Sequence, residues 1–480
     1  MLDIRHVVGA VLLFIDGMWE MFSSCRDGLE FEEGMHRLWQ KAGGQLYAWS
    51  LERMDQRLMQ SRDRSELKVV GFRVRTIISS FGEVRIKRRL YQDSDGDYVF
   101  LLDRTMGWSR RSRLTLRMKQ MGVVLSADMP FRRVARAMEY LAPGVSAMAV
   151  WKEVQEAGEL ARSEAEVRRD LMFEKGEYTP GDKVAETLYL EADGVHIRQQ
   201  YCGKQARSLE VRMATIYDGK EELASGKKRL TGRQTVAGVV SGPDLWERAS
   251  ERASSHWDLN QVREVHVGGD GASWIKKGTE MFPGAQFHLD PFHIKRAMTR
   301  ALSFDDDHYQ SVARAVADLD ADGVEKGLQD ALESTRDTKK IKHIRELGRY
   351  LRNNWEGIGR LSPGSRMGVI EAQVRHVIAR RMKHLSGGWS PSGTDNMVHL
   401  LAAESNGELK RYVPGREMDR DRIDDVIGSK PLQAPSKKQS SGEDIEEWLR
   451  VNMPALSGPH SDRPWVKHVL REISKAWGAA

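Results

Sequence analysis

Cysteine is scarce in this sequence. Cys25 and Cys202 are the only two among 480 residues. Two cysteines cannot build a disulfide framework or a four-ligand zinc site. Their scarcity is typical of a reducing compartment, so we expect a cytoplasmic protein.

Long hydrophobic runs are scarce as well. The run "VVGAVLLFI" (7–15) is much shorter than the roughly 20 apolar residues that a membrane-spanning helix needs, and no other run approaches that length. The sequence "DGMWEMF" follows it instead of a small-residue cleavage site, which argues against a secretory signal. We predict a buried helix here and no membrane partner.

Neither sign of charge dominates the whole chain. The net charge is +6 and the sequence pI about 9.1. With 40% hydrophobic and 8% aromatic residues, the composition is that of a globular protein rather than a disordered one. The excess is local, because residues 109–136 hold eight basic residues against one acid, Asp128. Those eight are Arg110, Arg111, Arg113, Arg117, Lys119, Arg132, Arg133 and Arg136.

A helix-turn-helix pattern overlaps this basic run. Apolar residues recur at helical spacing over 131–141, "APGVS" predicts a turn with Ser146 as N-cap, and a second helix is predicted over 147–157. Next to clustered arginines, this pattern indicates DNA binding, with the second helix reading bases and the arginines contacting phosphates. Two short helices joined by such a turn also occur in proteins that bind no DNA.

Changes in periodicity divide the chain further, where length alone suggests about three domains. From 186 onward the pattern is three strands, helix, strand, helix, strand, which predicts a mixed sheet with helices packed on it, so the fold class is α+β and multidomain. The predicted regions are N-terminal helices (1–66), a small antiparallel β-meander (67–108), the basic helix-turn-helix region (109–180), the first part of a core (181–290), an α-helical insertion (291–365), the last part of the core (366–428), and a linker with a helical tail (429–480).

Three acids stand out by their positions. Asp193 in "YLEADGVHI" and Asp270 in "VHVGGDGASW" are predicted at strand ends, and Glu371 in the first turn of the helix "VIEAQVRHVIARRMKHL". Two-metal phosphoryl transfer needs a few carboxylates that fix a pair of divalent ions. We interpret the glycines beside the first two acids as room for a DNA backbone.

Each acid also has an ordinary structural explanation. Asp193-Gly194 is a favoured hairpin-turn pair, and Asp270 suits a turn before a helix. Glu371 could satisfy the helix dipole or pair with Arg375, on a helix face whose charges are otherwise solvated. Glu191 shares a strand face with Asp193, so it could be a ligand or a supporting group.

The motifs "RTIISSFGEVRIKRRLY", "YLEADGVHI", "GGDGASWI", "FHLDPFHIKRAM" and "GVIEAQVRHVIARRM" follow one another over about 51–397. In this order they resemble bacterial insertion-sequence transposases of the ISLre type, within the DDE superfamily. The resemblance implies an RNase H-like catalytic core with a helical insertion before the last acid. It also implies Asp193, Asp270 and Glu371 as catalytic residues that hold Mg²⁺ or Mn²⁺, with two ions expected.

The resemblance implies further site residues. Asp290-Pro-Phe-His293 is similar to the Cys/Asp-x-x-His element of related transposases, so His293 and Asp290 are expected to support the site. Trp355 corresponds to a tryptophan of the insertion and is a candidate DNA contact, although a tryptophan is more simply a core residue. Apart from the resemblance, Arg375 on the charged helix face is a further candidate DNA contact. The chain departs from the family in "RMGVI", just before the last acid.

The resulting hypothesis is a DNA transposase that binds the terminal inverted repeats of an insertion sequence. Water would cleave the DNA at the element end, and the freed 3′-hydroxyl would attack target DNA. Because two ends must be paired, we expect a homodimer or higher oligomer on DNA, associated with the nucleoid. The alternatives are an RNase H-like nuclease or resolvase, a non-catalytic DNA-binding relic, and a serine or tyrosine recombinase, whose residue arrangements are not evident.

Overall fold

A computed structural model describes residues 4–109, 112–200, 208–224, 226, 228–359, 367–385 and 387–413. Arg110, Arg111 and the predicted linker and tail (429–480) lie outside this range. The chain forms two units, Met1–Arg162 with Gly407–Asp421 (unit one) and Ser163–Asn406 with Arg422–Ala480 (unit two). The predicted helix-turn-helix region, 109–180, is therefore divided between the two units.

Unit one combines helices with a small sheet. Its elements are α1 (Ile4–Ser24), α2 (Gly28–Ser61), β1 (Lys68–Ser79), β2 (Gly82–Gln92), β3 (Tyr98–Val99), α3 (Leu101–Thr105), α4 (Leu116–Asp128), α5 (Phe131–Glu139), the first half of α6 (Ala147–Lys175) and a 3₁₀ turn (Leu409–Tyr412). The sheet is antiparallel in the order β1-β2-β3. Near the end of the region predicted as a β-meander (67–108), the chain forms helix α3 instead of a strand.

The first helix is not buried, contrary to the prediction from its apolar run. Within the predicted run Ala10 is buried, but Leu12 and Ile15 are 54% and 56% exposed, and farther along the helix Trp19 is 76% exposed. An apolar run predicts that a hydrophobic helix forms. Whether that helix is buried depends on how many neighbouring elements pack against it. Among the helices that the structure describes, none is both long and apolar enough to cross a membrane.

The two helices of the predicted helix-turn-helix are α5 and α6. The Ser146 hydroxyl accepts a hydrogen bond from the Ala149 amide (3.1 Å), as an N-cap does. Helix α6 continues well beyond the predicted end at 157, to Lys175. It ends where the amides of Gly176 and Glu177 turn back to carbonyls of its last turn, in a pattern typical of a helix C-terminus.

A five-stranded mixed sheet forms the centre of unit two. Its strands are β4 (Thr187–Arg198), β5 (Ser208–Tyr217), β8 (Gln234–Gly238), β9 (Glu264–Gly269) and β10 (Gln286–Leu289), while β6 (Gly219–Glu222) and β7 (Lys228–Thr231) form a separate hairpin. The order is β10-β9-β4-β5-β8. Strands β4, β5 and β8 pair antiparallel, whereas β9 and β10 run parallel to β4.

Side chains alternate across the central strand β4. Leu188, Leu190 and Ala192 pack into a core with α7 (Gly242–His256) on one face. Tyr189 and Glu191 point to the opposite face, where the remaining helices lie. This alternation places Glu191 and Asp193 on the same face, as the sequence predicted.

Helices fill the second half of unit two. They are α8 (Ser273–Lys276) with a 3₁₀ turn (Lys277–Met281), α9 (Pro291–Leu302), α10 (Asp306–Ala317), α11 (Ala321–Glu333), α12 (Thr338–Asn353) with a 3₁₀ turn (Trp355–Gly357), α13 (Ile370–Val374), a π-helical segment (Arg375–His384) and α14 (Pro391–Ser405). Helices α9 to α12 share their own apolar core.

The helix after 370 differs from its prediction in two ways. It changes to π-helical geometry at Arg375, and π-helical turns are frequent at functional sites. Its charged residues do not all face solvent, because Arg381 is only 2% exposed and its guanidinium lies 5.1 Å from the Trp389 ring. Ile370, Val374 and Ile378 of the same helix are buried.

Candidate metal centre

Asp193 lies inside strand β4 rather than at its end. It pairs with Met213, and Gly194 pairs with Arg212, so the antiparallel ladder continues to Arg198. The dipeptide Asp193-Gly194 is therefore not a hairpin turn. The parallel ladder with β9 ends at Glu191, two residues earlier, which leaves Asp193 just beyond the edge of the parallel half of the sheet.

Asp270 directly follows β9, and its flanking glycines are explained by contacts within the protein. A Cβ at Gly269 would lie 2.6 Å from the Ala192 carbonyl oxygen. Gly271 has φ of +90°, and a Cβ there would meet the Asn354 side chain. Close packing and a left-handed turn explain both glycines within the protein, and the interpretation that they make room for DNA stays a prediction.

Helix α12 fixes the loop that carries Asp270. The Tyr350 hydroxyl donates a hydrogen bond to the Asp270 carbonyl (2.9 Å), and the Lys276 ammonium donates one to the Asn353 carbonyl (2.6 Å). The Asp270 carboxylate accepts from the Ala272 amide (2.8 Å). The helical insertion is thus a structural support of the second acid.

Glu371 stands in the first turn of α13, whose N-terminus is held by Glu191. One Glu191 oxygen accepts from the amides of Gly368, Val369 and Ile370 at 2.9, 2.8 and 3.2 Å. The other accepts from the Tyr217 hydroxyl at 2.6 Å. Donors thus engage both oxygens of Glu191, which is 1% exposed. This geometry favours the supporting role for Glu191 over the ligand role.

Asp290 and His293 begin helix α9 immediately after β10. One Asp290 oxygen caps the helix by accepting from the Phe292 amide (2.8 Å). Its second oxygen lies 3.9 Å from His293 Nε2. Both of these buried atoms lack a hydrogen-bond partner among the residues that the structure describes. Buried polar atoms without hydrogen-bond partners cost stability, so the free Asp290 oxygen and His293 Nε2 are available to bind a further group.

The acids converge on one point from distant parts of the chain. Ligand atoms of Asp193, His293 and Glu371 all lie within 4.8 Å of one another. Asp270 is adjacent, close enough for its charge to raise the pKa of Asp193, but it is outside this tight group. The structure therefore brings the three predicted catalytic acids into one neighbourhood and places His293 among them as a possible direct ligand.

Burial and mutual repulsion govern protonation at this point. Burial raises the pKa of the Asp193 carboxyl from 3.8 to about 7, and the charges of Asp270 and Glu371 add to this. Burial also raises the pKa of Asp290 to about 8, with repulsion from Glu191 adding to it. Burial lowers the pKa of His293, which leaves a neutral imidazole at pH 7.

This donor set fits a divalent cation. A carboxylate cluster in which burial raises the pKa of Asp193 favours either a proton or a cation in its midst. A neutral imidazole adds a nitrogen ligand. The Glu371 carboxylate forms no hydrogen bond or ion pair with any residue in the described ranges, including the Arg375 guanidinium, so it is available. Asp193, Glu371 and His293 could hold one ion directly, with Asp270 beside them.

The predicted DNA contacts of the basic run belong to unit one. In unit one, Arg117, Arg132 and Arg133 are exposed on α4 and α5. Arg113 is also exposed but pairs with Glu83 at 2.6 Å, and Lys119 from the same basic run is buried against Glu153 at 2.9 Å.

In unit two, Arg375 is exposed. Trp355 is half-buried against the apolar core of the insertion, as a core residue would be.

Sequence reasoning missed two residues of this site, Arg296 and Tyr350. Arg296 lies one helical turn after His293, and its charge lowers the pKa of Asp193. Helical spacing from His293 could have indicated Arg296. Nothing in the local sequence marks Tyr350, because its contact spans 80 residues.

Comparison with known proteins identifies the family. The model of the Uncharacterised protein family (UPF0236) matches residues 25–419. The chain belongs to this family. A UPF0236 protein of Caldanaerobacter subterraneus subsp. tengcongensis is 26% identical over 426 residues, which are 85% of this chain and 86% of that protein. A second UPF0236 protein, "in vanSb 3′region" of Streptococcus gallolyticus, is 26% identical over 80% of this chain and 84% of its own length.

A solved structure is also similar at a low level. It is the Drosophila P element transposase strand transfer complex, with a TM-score of 0.22 and 11% sequence identity, covering 66% of this chain and 86% of that chain. A similarity this low carries no argument about fold or function.

Proposed function

We propose that this UPF0236 protein is a DDE-type DNA transposase that cleaves the ends of an insertion sequence and joins them to target DNA. The observation that carries the proposal is the convergence of Asp193, Glu371 and His293, with Asp270 adjacent. Four residues from four separate segments meet at one edge of a mixed sheet, where a cation would fit. Phosphoryl transfer is the chemistry that such a carboxylate cluster serves.

Two further observations support the proposal. The antiparallel trio β4, β5 and β8 extended by parallel β9 and β10 is the arrangement expected of an RNase H-like core. The name of the Caldanaerobacter relative joins eleven locus labels, as expected of a coding sequence that has been copied within its genome. Repeated copying is how an insertion sequence spreads.

The residues would divide the work as follows. Asp193, Glu371 and His293, with Asp270, would hold divalent cations, which supply positive charge at the phosphate under attack. Glu191 orients Glu371, and Asp290 caps the helix that carries His293. In the first step a water oxygen forms a bond to phosphorus and a 3′-oxygen leaves. In the second step that 3′-hydroxyl attacks a target phosphate and displaces another 3′-oxygen, so no protein nucleophile is needed.

A strand-transfer assay tests this proposal. Labelled DNA from either side of the coding sequence is mixed with a plasmid target, the full chain and Mg²⁺ or Mn²⁺. We expect joined products from the wild type, and a loss of about a thousandfold or more in Asp270→Asn and Glu371→Gln. Asp322→Asn, an exposed acid on α11, is the control and should behave as wild type.

Each other outcome has a defined meaning. Nicking without joining would replace the transposase with an RNase H-like nuclease. Binding without chemistry in either metal would leave a DNA-binding relic, and the acid cluster would then need another explanation.

A further inference from the structure

A cleft opens beside the acid cluster, between helices α9 and α12. Its volume is about 300 Å³, and it begins at Asp270. One face of α9 lines it with His293, Arg296 and Arg300, and one face of α12 faces them. The lining residues recur every three or four positions on each helix, so the cleft follows the helices outward from the acids.

No side-chain contact within the described part of the chain explains why an arginine stands at position 296. Arg296 is exposed, and its guanidinium forms no ion pair or hydrogen bond with any residue of the described part of the chain. Its charge nevertheless acts on the acid cluster, because it lowers the pKa of both Asp193 and His293. An unpaired guanidinium beside a carboxylate cluster and open to solvent is free to bind an anion.

The outer end of the cleft carries a second arginine, Arg300, which is paired with the lining acid Glu346. Arg300 lies one turn beyond Arg296, and its guanidinium is 3.3 Å from His343 Nε2 and 3.5 Å from Glu346. Leu347 and Ala297 supply an apolar wall between the charged groups. Arg296 and Arg300 are separated by about one helical turn, roughly 6 Å along the axis.

We infer that this cleft binds the sugar–phosphate backbone of a DNA strand next to the phosphate at the acid cluster. Arg296 takes one phosphate, Arg300 takes the following one in place of its pairing with Glu346, and the apolar wall contacts the sugar between them. Guanidinium groups match phosphate oxygens in pairs, and a cleft near 300 Å³ has the size of a small-ligand site, about one nucleotide. The choice of DNA as the polymer rests on the proposed function.

Salt-dependent binding tests this inference. The full chain in Ca²⁺ is titrated against a fluorescent 20-nucleotide single strand and the matching duplex, between about 50 and 200 mM salt. Each phosphate contact to a single strand contributes about 0.7 to the slope of log Kd against log salt, so Arg296→Gln should lower the slope by about 0.7. Arg314→Gln, an exposed arginine on α10 of the same insertion, should leave the slope unchanged.

An unchanged slope and affinity in Arg296→Gln on both probes would overturn the inference. The outcome is separable from that of the proposed function. If Arg296 contributes to binding but the wild type neither cleaves nor joins DNA, the cleft stands and the transposase proposal fails. If Arg296→Gln joins DNA as the wild type does and its slope is unchanged, the transposase proposal stands and the cleft inference fails.

Discussion

The buried acids of unit one and the clustered acids of the site in unit two have opposite surroundings. In unit one, Asp55, Asp103 and Glu153 each lie within 3 Å of an arginine or lysine. In unit two, neither Asp193 nor Glu371 forms an ion pair with a lysine or arginine of the described ranges, although they lie side by side. Paired acids hold a fold together, whereas clustered acids without cations are kept at a cost in stability that a bound ion would offset.

Asp103→Asn should give the largest loss of stability. Asp103 accepts from Arg88 Nε at 2.7 Å and from Arg75 at 2.7 Å, and all three side chains are nearly buried. Removing one partner of a buried ion pair leaves the other charges uncompensated, at a cost of about 3–5 kcal/mol. Urea unfolding of the full chain measures the change. A cost below about 1 kcal/mol would show that this acid is not the anchor we describe.

Glu191→Gln should cost less stability but also impair function. Hydrogen bonds to a charged acceptor contribute about 1.5–3 kcal/mol, and the Gly368, Val369 and Ile370 amides would lose such an acceptor. We expect faster hydrogen exchange at these amides and a loss of strand transfer of about 10–100-fold, with DNA affinity unchanged. Tyr217→Phe, which removes only the donor to the other oxygen, is the milder companion variant. Unchanged hydrogen exchange at these amides would show that Glu191 does not hold the N-terminus of α13.

Asp193→Asn should stabilise the metal-free protein, which is the opposite of Asp103→Asn. The folded pKa of about 7 lies above the usual 3.8, so the wild type loses stability as the pH rises between these two values. The asparagine variant lacks this loss and should be more stable by about 4 kcal/mol at pH 8, with a difference below about 1 kcal/mol near pH 4. Thermal unfolding in EDTA across this range is the measurement. A pH-independent difference would contradict the assigned cause.

The affinity for a divalent metal should depend on the same titration of Asp193, but it should rise with pH where the stability of the metal-free protein falls. Because a cation competes with the proton on Asp193, Mn²⁺ affinity should rise with pH up to about 7 and then level off. Titration calorimetry in buffers of different ionisation enthalpy would show the released proton. Binding without proton release would place the ion elsewhere.

His293→Asn should have the smallest effect, a change in metal preference. Imidazole nitrogen favours transition ions over Mg²⁺, so its loss should lower the ratio of Mn²⁺ to Mg²⁺ affinity about tenfold. Metal titrations of wild type and variant give both affinities. If the ratio is unchanged while stability falls, His293 supports Asp290 and is not a ligand.

Local sequence patterns anticipated a good part of the molecule. Strand alternation placed Glu191 and Asp193 on one face, and helical periodicity found α7 and the helices of the insertion. These features depend on residues within a few positions of one another, so they are visible in a single sequence. The same reasoning exaggerated the burial of α1 and ended α6 too early, since burial and helix length depend on partners.

The sequence by itself determined which elements form and which acids stand in chemically suitable places. Only the tertiary structure decided that Gly269 and Gly271 serve packing, that Glu191 holds the helix of Glu371, and that His293 joins Asp193 and Glu371. Those roles arise from contacts between residues that are 70 or more positions apart, such as Tyr350 with Asp270. A hydrogen bond or a steric contact across that separation produces no periodic pattern in a single sequence, so only the folded structure shows it.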